Sequence, residues 1–334
     1  MLPRVSVVLP FYNAQATLDR AIKSIAEQSL IEWELVLINH ASTDQSSLIA
    51  EEWQQRDRRI RLFVEPRPGL VNALNAGLSQ VTAPLVARMD ADDVSAPKRL
   101  ACQYYYLHNH QDIGAIGCRV RYCPTNQPQA GMQAYVDWGN QLLTSEAIQL
   151  NRFVESPLVH PSVMFRTSLL AQYGPYRSGP FPEDYELWLR WLGQGVRLAK
   201  HPQTLVDWYD TDTRLSRTHP HYHPEAFYRI KTQYLAQWLV RHNPFHPQVV
   251  IWGGGRKSRQ RVRLLEDQGI QVQAVIDVVA RKTTTLPCLF FRDIAPPGHY
   301  FILSYVGNRG KRDEVRQFLQ QRGYQEGVHF LLVA

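Results

Sequence analysis

Three carboxylates stand within four residues, Asp90, Asp92 and Asp93, directly after the apolar run Pro84-Leu85-Val86-Ala87-Arg88-Met89. A short run of that kind reads as a buried strand, so the acids should emerge together at its end. Ionised groups this close repel one another unless a cation neutralises them. All-oxygen clusters suit hard divalent ions, Mg2+ or Mn2+, which commonly share their coordination with substrate phosphates. Strand ends are also where open α/β sheets place their ligands. The same residues fit a solvated acidic turn that opens the next helix, because Asp is favoured at N-caps. A second candidate metal grouping, His219, His221 and His223, alternates within a proline-rich turn and reads better as that turn.

The elements that must position these residues alternate. Residues 5–9 form a predicted strand closed by Pro10, and Leu18, Ile22, Ile25 and Ala26 then recur at helical spacing. Residues 35–38 form a second strand, followed by a polar loop over 39–44 and a helix holding Leu48, Ile49 and Trp53. Residues 61–64 give a third strand, 70–78 a helix, and the run before Asp90 a fourth strand. Such alternation indicates parallel βαβ units with substrate loops at the strand C-termini. The stretch from 102 to 203 is less regular and rich in aromatics, with a helix over 185–192. Apolar residues between Phe227 and Leu239 form a helical stripe, which reads as a packed helix; a membrane-surface helix is the alternative. A linker over 243–248 then separates a first domain, 1–242, from a second small α/β domain, 249–334.

At 334 residues the chain is long enough for two cores, and its 44% hydrophobic and 20% charged content excludes a disordered or fibrous protein. No apolar stretch reaches the length of a bilayer span. The start, Met1-Leu2-Pro3-Arg4-Val5, lacks the layout of a signal peptide, and the four cysteines contain no C-x-x-C. A cytoplasmic protein with reduced thiols is the expectation. The net charge of +7 comes with no nucleic-acid motif, so no nucleic-acid partner is expected. It favours anionic substrates or peripheral association with the inner face of a membrane.

Several motifs occur in a fixed order: Pro10-Phe11-Tyr12-Asn13, Ala41-Ser42-Thr43-Asp44, Asn72 with Asn75 and Gly77, and Asp90-Ala91-Asp92-Asp93. They continue through Pro97-Lys98-Arg99-Leu100 with Gln103, His160-Pro161-Ser162-Val163-Met164, and Glu183-Asp184-Tyr185 with Leu187-Trp188. Over roughly residues 4–218 this series resembles the family 2 glycosyltransferases with the GT-A fold, an α/β fold with a mainly parallel central sheet. The resemblance implies inverting transfer of a sugar from a nucleotide-diphosphate donor, a UDP-sugar, to an acceptor hydroxyl on a glycan or lipid-linked glycan in bacterial surface polysaccharide synthesis. It implies that Asp92 and Asp93 hold Mn2+ or Mg2+, that Asp90 and Asp92 belong to the donor site, and that Asp184 is the general base. Read from the residues alone, Glu183-Asp184 is equally an N-cap and first-turn acid of the next helix. Pro10, Tyr12 and Asn13 match positions lining base and ribose. Arg67 is a further donor-site candidate that could meet phosphate or base, with an exposed loop arginine as the alternative. Asn39 departs from the Asp usual there, although an amide can both accept from and donate to a uracil. His160, Glu183 and Trp188 fall on the acceptor side. Tyr209 stands where related chains often carry Arg, with Arg214 as a weaker substitute.

The sequence Gly253-Gly254-Gly255-Arg256-Lys257-Ser258 follows a strand and opens a helix, the context of a dinucleotide loop. Ser258 replaces the third glycine, and Asp277 falls near the ribose position. The tail resembles the Rossmann-like portion of nucleotide-sugar acyltransferases. Gly253, Gly255, Ser258 and Asp277 are its candidate nucleotide-binding residues, and a purely structural or interaction role is the alternative. Two other functions compete. An NAD(P)-linked oxidoreductase is weakened by the missing glycine, and a catalytically silent nucleotide-sugar-binding protein by the intact Asp92, Asp93 and Asp184.

Overall fold

Val5–Phe11 and Trp33–Asn39 are buried at every position, the pattern of strands covered on both faces. They are β1 and β2 of a sheet continued by β3 Ile60–Val64, β4 Leu85–Arg88, β5 Val94–Ser95, β6 Ile113–Pro124, β7 Met164–Arg166 and β8 Arg197–Asp210. The order is β3-β2-β1-β4-β7-β6-β8-β5. β3, β2, β1 and β4 run parallel, β7 is antiparallel to β4 and β6, and β8 is parallel to β6. The computed structural model describes residues 2–211, 214–279 and 286–334.

Two expectations are revised. Pro10 does not close β1, which continues to Phe11 with Pro10 opposite Ile38 of β2. β4 pairs with β1 only as far as Val8, so the missing N–H of Pro10 costs no ladder bond on that side. The middle of the chain also contains the two longest strands, β6 and β8. The apolar pattern of β6 is broken by glycines that packing requires: a Cβ on Gly114 would lie 2.5 Å from Val196 Cγ1, and one on Gly117 would lie 2.9 Å from Leu158 Cδ2. In the helix Leu70–Leu78, Gly77 lets the backbone approach β1, since its Cβ would stand 2.6 Å from Val8 Cγ1.

By packing, the chain divides into Met1–Ile148 with Pro157–Tyr222, and Gln149–Ser156 with His223–Ala334. This division falls before the 243–248 linker because the helix Pro224–His242 packs on the helix Arg256–Glu266 of the second unit. The second unit has β9 Gln248–Trp252, β10 Gln271–Asp277, β11 Cys288–Phe290, β12 Ile302–Ser304 and β13 Phe330–Leu332. Their order is β11-β10-β9-β12-β13, with every pair parallel. Among the described residues no helix is long and apolar enough to cross a membrane.

Candidate active site

The loops after β1 and β2 are laced together. Asn13, in the left-handed region at φ 46°, accepts the Thr43 N–H on Oδ1 at 2.8 Å, and its own N–H donates to Ser42 Oγ. Asp44 bridges the Gln15 and Ser46 N–H groups. Tyr12 is left exposed, stacked on His40 at 5.3 Å. Asn39 is buried and its Oδ1 accepts the Ser42 N–H at 2.9 Å, which leaves its amide N–H groups as donors. Arg67 does not reach into this loop pair as a free cation; it makes a two-pronged pair with Glu65, at 2.8 Å for both contacts.

Asp90, Asp92 and Asp93 emerge together from β4, with one oxygen of each within 4.8 Å of the others. They are not equivalent. Asp90 is paired to the buried Arg88 guanidinium and lies 3.7 Å from Arg214 Nη2. Burial would raise its pKa, but the two arginines outweigh it and hold the carboxyl below its ordinary value. Asp93 is wholly buried; Oδ1 accepts the Tyr209 N–H at 2.8 Å, while Oδ2 has no hydrogen-bond partner among the described residues. Burial pushes Asp93 well up and Asp92 up. A buried carboxylate oxygen without a donor is costly as it stands. Arg214 faces all three carboxylates, yet among the described residues only Asp90 has an arginine within ion-pair distance, and the donor set of Asp92 and Asp93 fits a hard divalent ion.

A second acidic pair opens the helix Glu183–Gly193. Glu183 is buried and accepts from Tyr222 Oη at 2.6 Å; burial raises its pKa. Asp184 is half-buried, and its carboxyl is pushed up to about 8 by desolvation, with the neighbouring Glu183 adding to the shift. His160 bonds to Tyr176 Oη at 2.7 Å, and burial drives its pKa well down, so the ring is neutral where it faces Glu183 at 3.7 Å. Trp188, expected on the acceptor side, is completely buried, edge-on to His160 at 6.1 Å. The helix turns Leu187, Trp188, Trp191 and Leu192 into the core, so Trp188 acts as packing beneath His160.

Several motif residues hold the frame. Arg99, fully buried, donates to the Arg88 carbonyl at 2.7 Å and to Gln103, whose amide reaches the Ile116 and Ser162 carbonyls. Asn75 exchanges two hydrogen bonds with the Tyr176 backbone. Arg88, Tyr176 and Tyr222 belong to the site without belonging to any of the sequence motifs. Arg88 left one signal, its place two residues before Asp90 on the same face of an extended run; Tyr222 left none, being 39 residues from its partner. His219 and His221 meet edge to face at 4.4 Å beside the turn that carries Tyr222.

In the second unit Gly253 has φ 114°, Ser258 is buried beneath it, and Gly255 precedes the helix Arg256–Glu266. Asp277 Oδ2, at the end of β10, accepts the Gly254 N–H at 3.2 Å.

Residues 6–174 match the model of the family described as Glycosyl transferase family 2. Among similar proteins, an Escherichia coli UDP-Gal:alpha-D-GlcNAc-diphosphoundecaprenol beta-1,3-galactosyltransferase is 28% identical over 236 residues, 70% of this chain and 82% of that one. Staphylococcus aureus TarS 1–349 in complex with UDP-GlcNAc superposes with a TM-score of 0.57 at 17% identity, covering 79% of this chain and 71% of that one. The mannosyltransferase PcManGT of Pyrobaculum calidifontis, in complex with GDP-Man and Mn2+, gives 0.51 at 22% identity over 71% and 63%.

Proposed function

The chain belongs to glycosyl transferase family 2, and from that premise we propose that it moves a sugar from a UDP-sugar to an acceptor hydroxyl with inversion at the anomeric carbon. It is a glycosyltransferase with the GT-A fold. The observation that carries the finer reading is the split in the acid cluster, with Asp90 neutralised by Arg88 and the buried Oδ2 of Asp93 lacking a donor.

Transfer breaks the anomeric C–O bond and sends its electron pair to the departing diphosphate, so negative charge develops beside this cluster. A Mg2+ or Mn2+ ion held by Asp92 and Asp93 would supply Lewis-acid stabilisation to that leaving group. Asp90, fixed by Arg88, meets the ribose and keeps the loop in register. The acceptor oxygen loses its proton as it bonds to the anomeric carbon, and Asp184 takes it. A carboxylate with a pKa near 8 is a far stronger base than an ordinary one, and general-base help is worth about 10²–10⁴-fold. Pro10, Tyr12 and Asn13 border the nucleoside, where the amide N–H groups of Asn39, without partners among the described residues, suit a base that presents a carbonyl, as uracil does. His160 and Glu183 support the acceptor side through Tyr176 and Tyr222.

The Escherichia coli relative's name supports a lipid-linked sugar as acceptor, and the name of an Escherichia coli O-antigen biosynthesis glycosyltransferase supports bacterial surface polysaccharide as the product class. Exposed Arg256, Lys257, Arg259 and Arg263, with no ion-pair partners among the described residues, support peripheral association with the anionic inner face of a membrane. The deciding experiment is a thermal-shift screen of nucleoside diphosphates and their sugars with and without Mn2+. UDP and a UDP-sugar should raise Tm only when the ion is present; stabilisation by none of them overturns the reading.

A further inference from the structure

Arg20 lies outside every motif in the sequence, on the exposed face of the helix Leu18–Ala26. Its guanidinium is nevertheless fixed at the rim of the acid cluster. Nη2 donates to the backbone oxygen of Asp92 at 2.8 Å, and Cζ stands 3.9 Å from the centroid of the Tyr209 ring. Tyr209 is itself anchored through its N–H on Asp93. An arginine carries five N–H donors in a rigid fork. Among the described residues only the bond to Asp92 occupies one of them, and no carboxylate pairs with Arg20. The neighbouring Asp19 is turned toward Trp53 Nε1 instead. Arg88 pairs with Asp90, and Arg214 is surrounded by Asp93, Asp92 and Asp90, so both have their counter-charge within the cluster.

Arg20 is therefore a positioned cation without a counter-charge, beside carboxylates that fit a divalent ion. Two cations side by side repel unless an anion bridges them. We propose that Arg20 binds the diphosphate of the nucleotide sugar, its guanidinium held in place by Asp92 and Tyr209. This rests on the nucleotide-sugar reading of the site. When the anomeric C–O bond breaks, the electron pair passes to the bridging oxygen of the diphosphate, and the Arg20 fork donates charge-assisted hydrogen bonds to the oxygens that gain charge. The aromatic ring of Tyr209 thus acts as the platform for an arginine supplied by another element.

The test is calorimetry of the full chain in Mn2+ with UDP and GDP, using UMP and GMP as monophosphate controls. Arg20→Ala should weaken the nucleoside diphosphate by about tenfold or more while leaving the monophosphate within about twofold, since the lost donors served the second phosphate. Arg20→Lys should recover part of the loss, because it retains charge without the forked geometry. Arg20→Gln, shorter and uncharged, should behave as Arg20→Ala, and Tyr209→Leu should reproduce part of the defect. Equal weakening of diphosphate and monophosphate would show that Arg20 only props the Asp92 backbone, and full affinity in Arg20→Gln would show that its charge is not used; either would overturn the assignment. Unchanged diphosphate affinity overturns it as well. A wild-type protein that binds neither UDP nor GDP overturns the donor reading and the assignment with it.

Discussion

After β4 the chain sets Asp90, Asp92 and Asp93 at a strand end; after β9 and β10 it sets three glycines and Asp277 at others. Both places lie at the carboxyl edge of parallel strands, where α/β sheets hold their ligands. Their internal accounts differ. In the second unit Asp277 accepts the Gly254 N–H, so the loop meets its own carboxylate. In the first, Asp93 keeps a buried oxygen without a donor and Arg20 a guanidinium without a carboxylate among the described residues. A strand-end position is common in such folds. The second unit also buries polar atoms without partners among the described residues, Ser304 Oγ and Tyr305 Oη at the end of β12, but the unpartnered carboxylate oxygen belongs to the first.

The sharpest way to break this contrast is to remove a carboxylate from each unit. Asp184→Asn should lower kcat by about 10²–10⁴-fold while donor affinity is retained, because the amide keeps the shape and cannot accept the proton. Asp277→Asn should leave kcat unchanged. Steady-state kinetics on both variants decides it, and a kcat defect in Asp277→Asn would move part of the active site into the second unit.

Asp93→Ala should cost nucleotide affinity by about 100-fold and abolish its dependence on Mn2+, in line with the several kcal/mol that a Lewis acid contributes at a diphosphate. Calorimetry with UDP, in Mn2+ and in EDTA, measures both. Retained metal dependence would show that the orphaned oxygen is not a ligand.

A smaller effect follows from Asp184 itself. The base must be ionised, and its ionised fraction falls about tenfold per unit below its pKa, so kcat/KM should climb with pH toward about 8 and then level. Glu183 adds to that raised value, so Glu183→Gln should move the limb to lower pH. A wild-type limb in the ordinary carboxylate range would assign the proton to another group.

Much of the first unit was legible because its signals are local. The alternation of strands and helices to residue 93, the helix Leu70–Leu78 and the acid cluster rest on short-range periodicity and spacing. The middle of the chain was not, since β6 carries Gly114 and Gly117 and β8 the buried Lys200, whose reasons lie in partners far along the chain. The site divides the same way. Asp90, Asp92 and Asp93 announce themselves by adjacency, whereas the roles of Arg20 and Tyr222 depend on partners 72 and 39 residues away. Trp188 shows the opposite error: its place in a motif suggested a substrate face, and the helix spends it on the core.

The glycines sharpen the contrast at the smallest scale. In the first unit Gly77 is fixed by β1: a methyl there would press on Val8, a stiff β-branched neighbour in a filled core, and Gly77→Ala should lower stability by about 1–3 kcal/mol. In the second unit the requirement falls on Gly254, whose Cβ would lie 2.5 Å from Asp277 Oδ2. Gly254→Ala must push that carboxylate away and break its bond to the loop, for about 1–2 kcal/mol. Gly255, the residue whose motif position suggests that it must stay small, has φ −68°, and a methyl on its Cα would meet no atom within 4 Å. Alanine there loses a little as an N-cap and gains a little by stiffening the unfolded chain, so its stability should stay within about 0.5 kcal/mol of wild type. Urea unfolding of the three variants ranks them. If Gly255→Ala is the most damaging, the 253–255 loop is held by something other than Asp277, and the second strand end is less self-satisfied than its hydrogen bonds indicate.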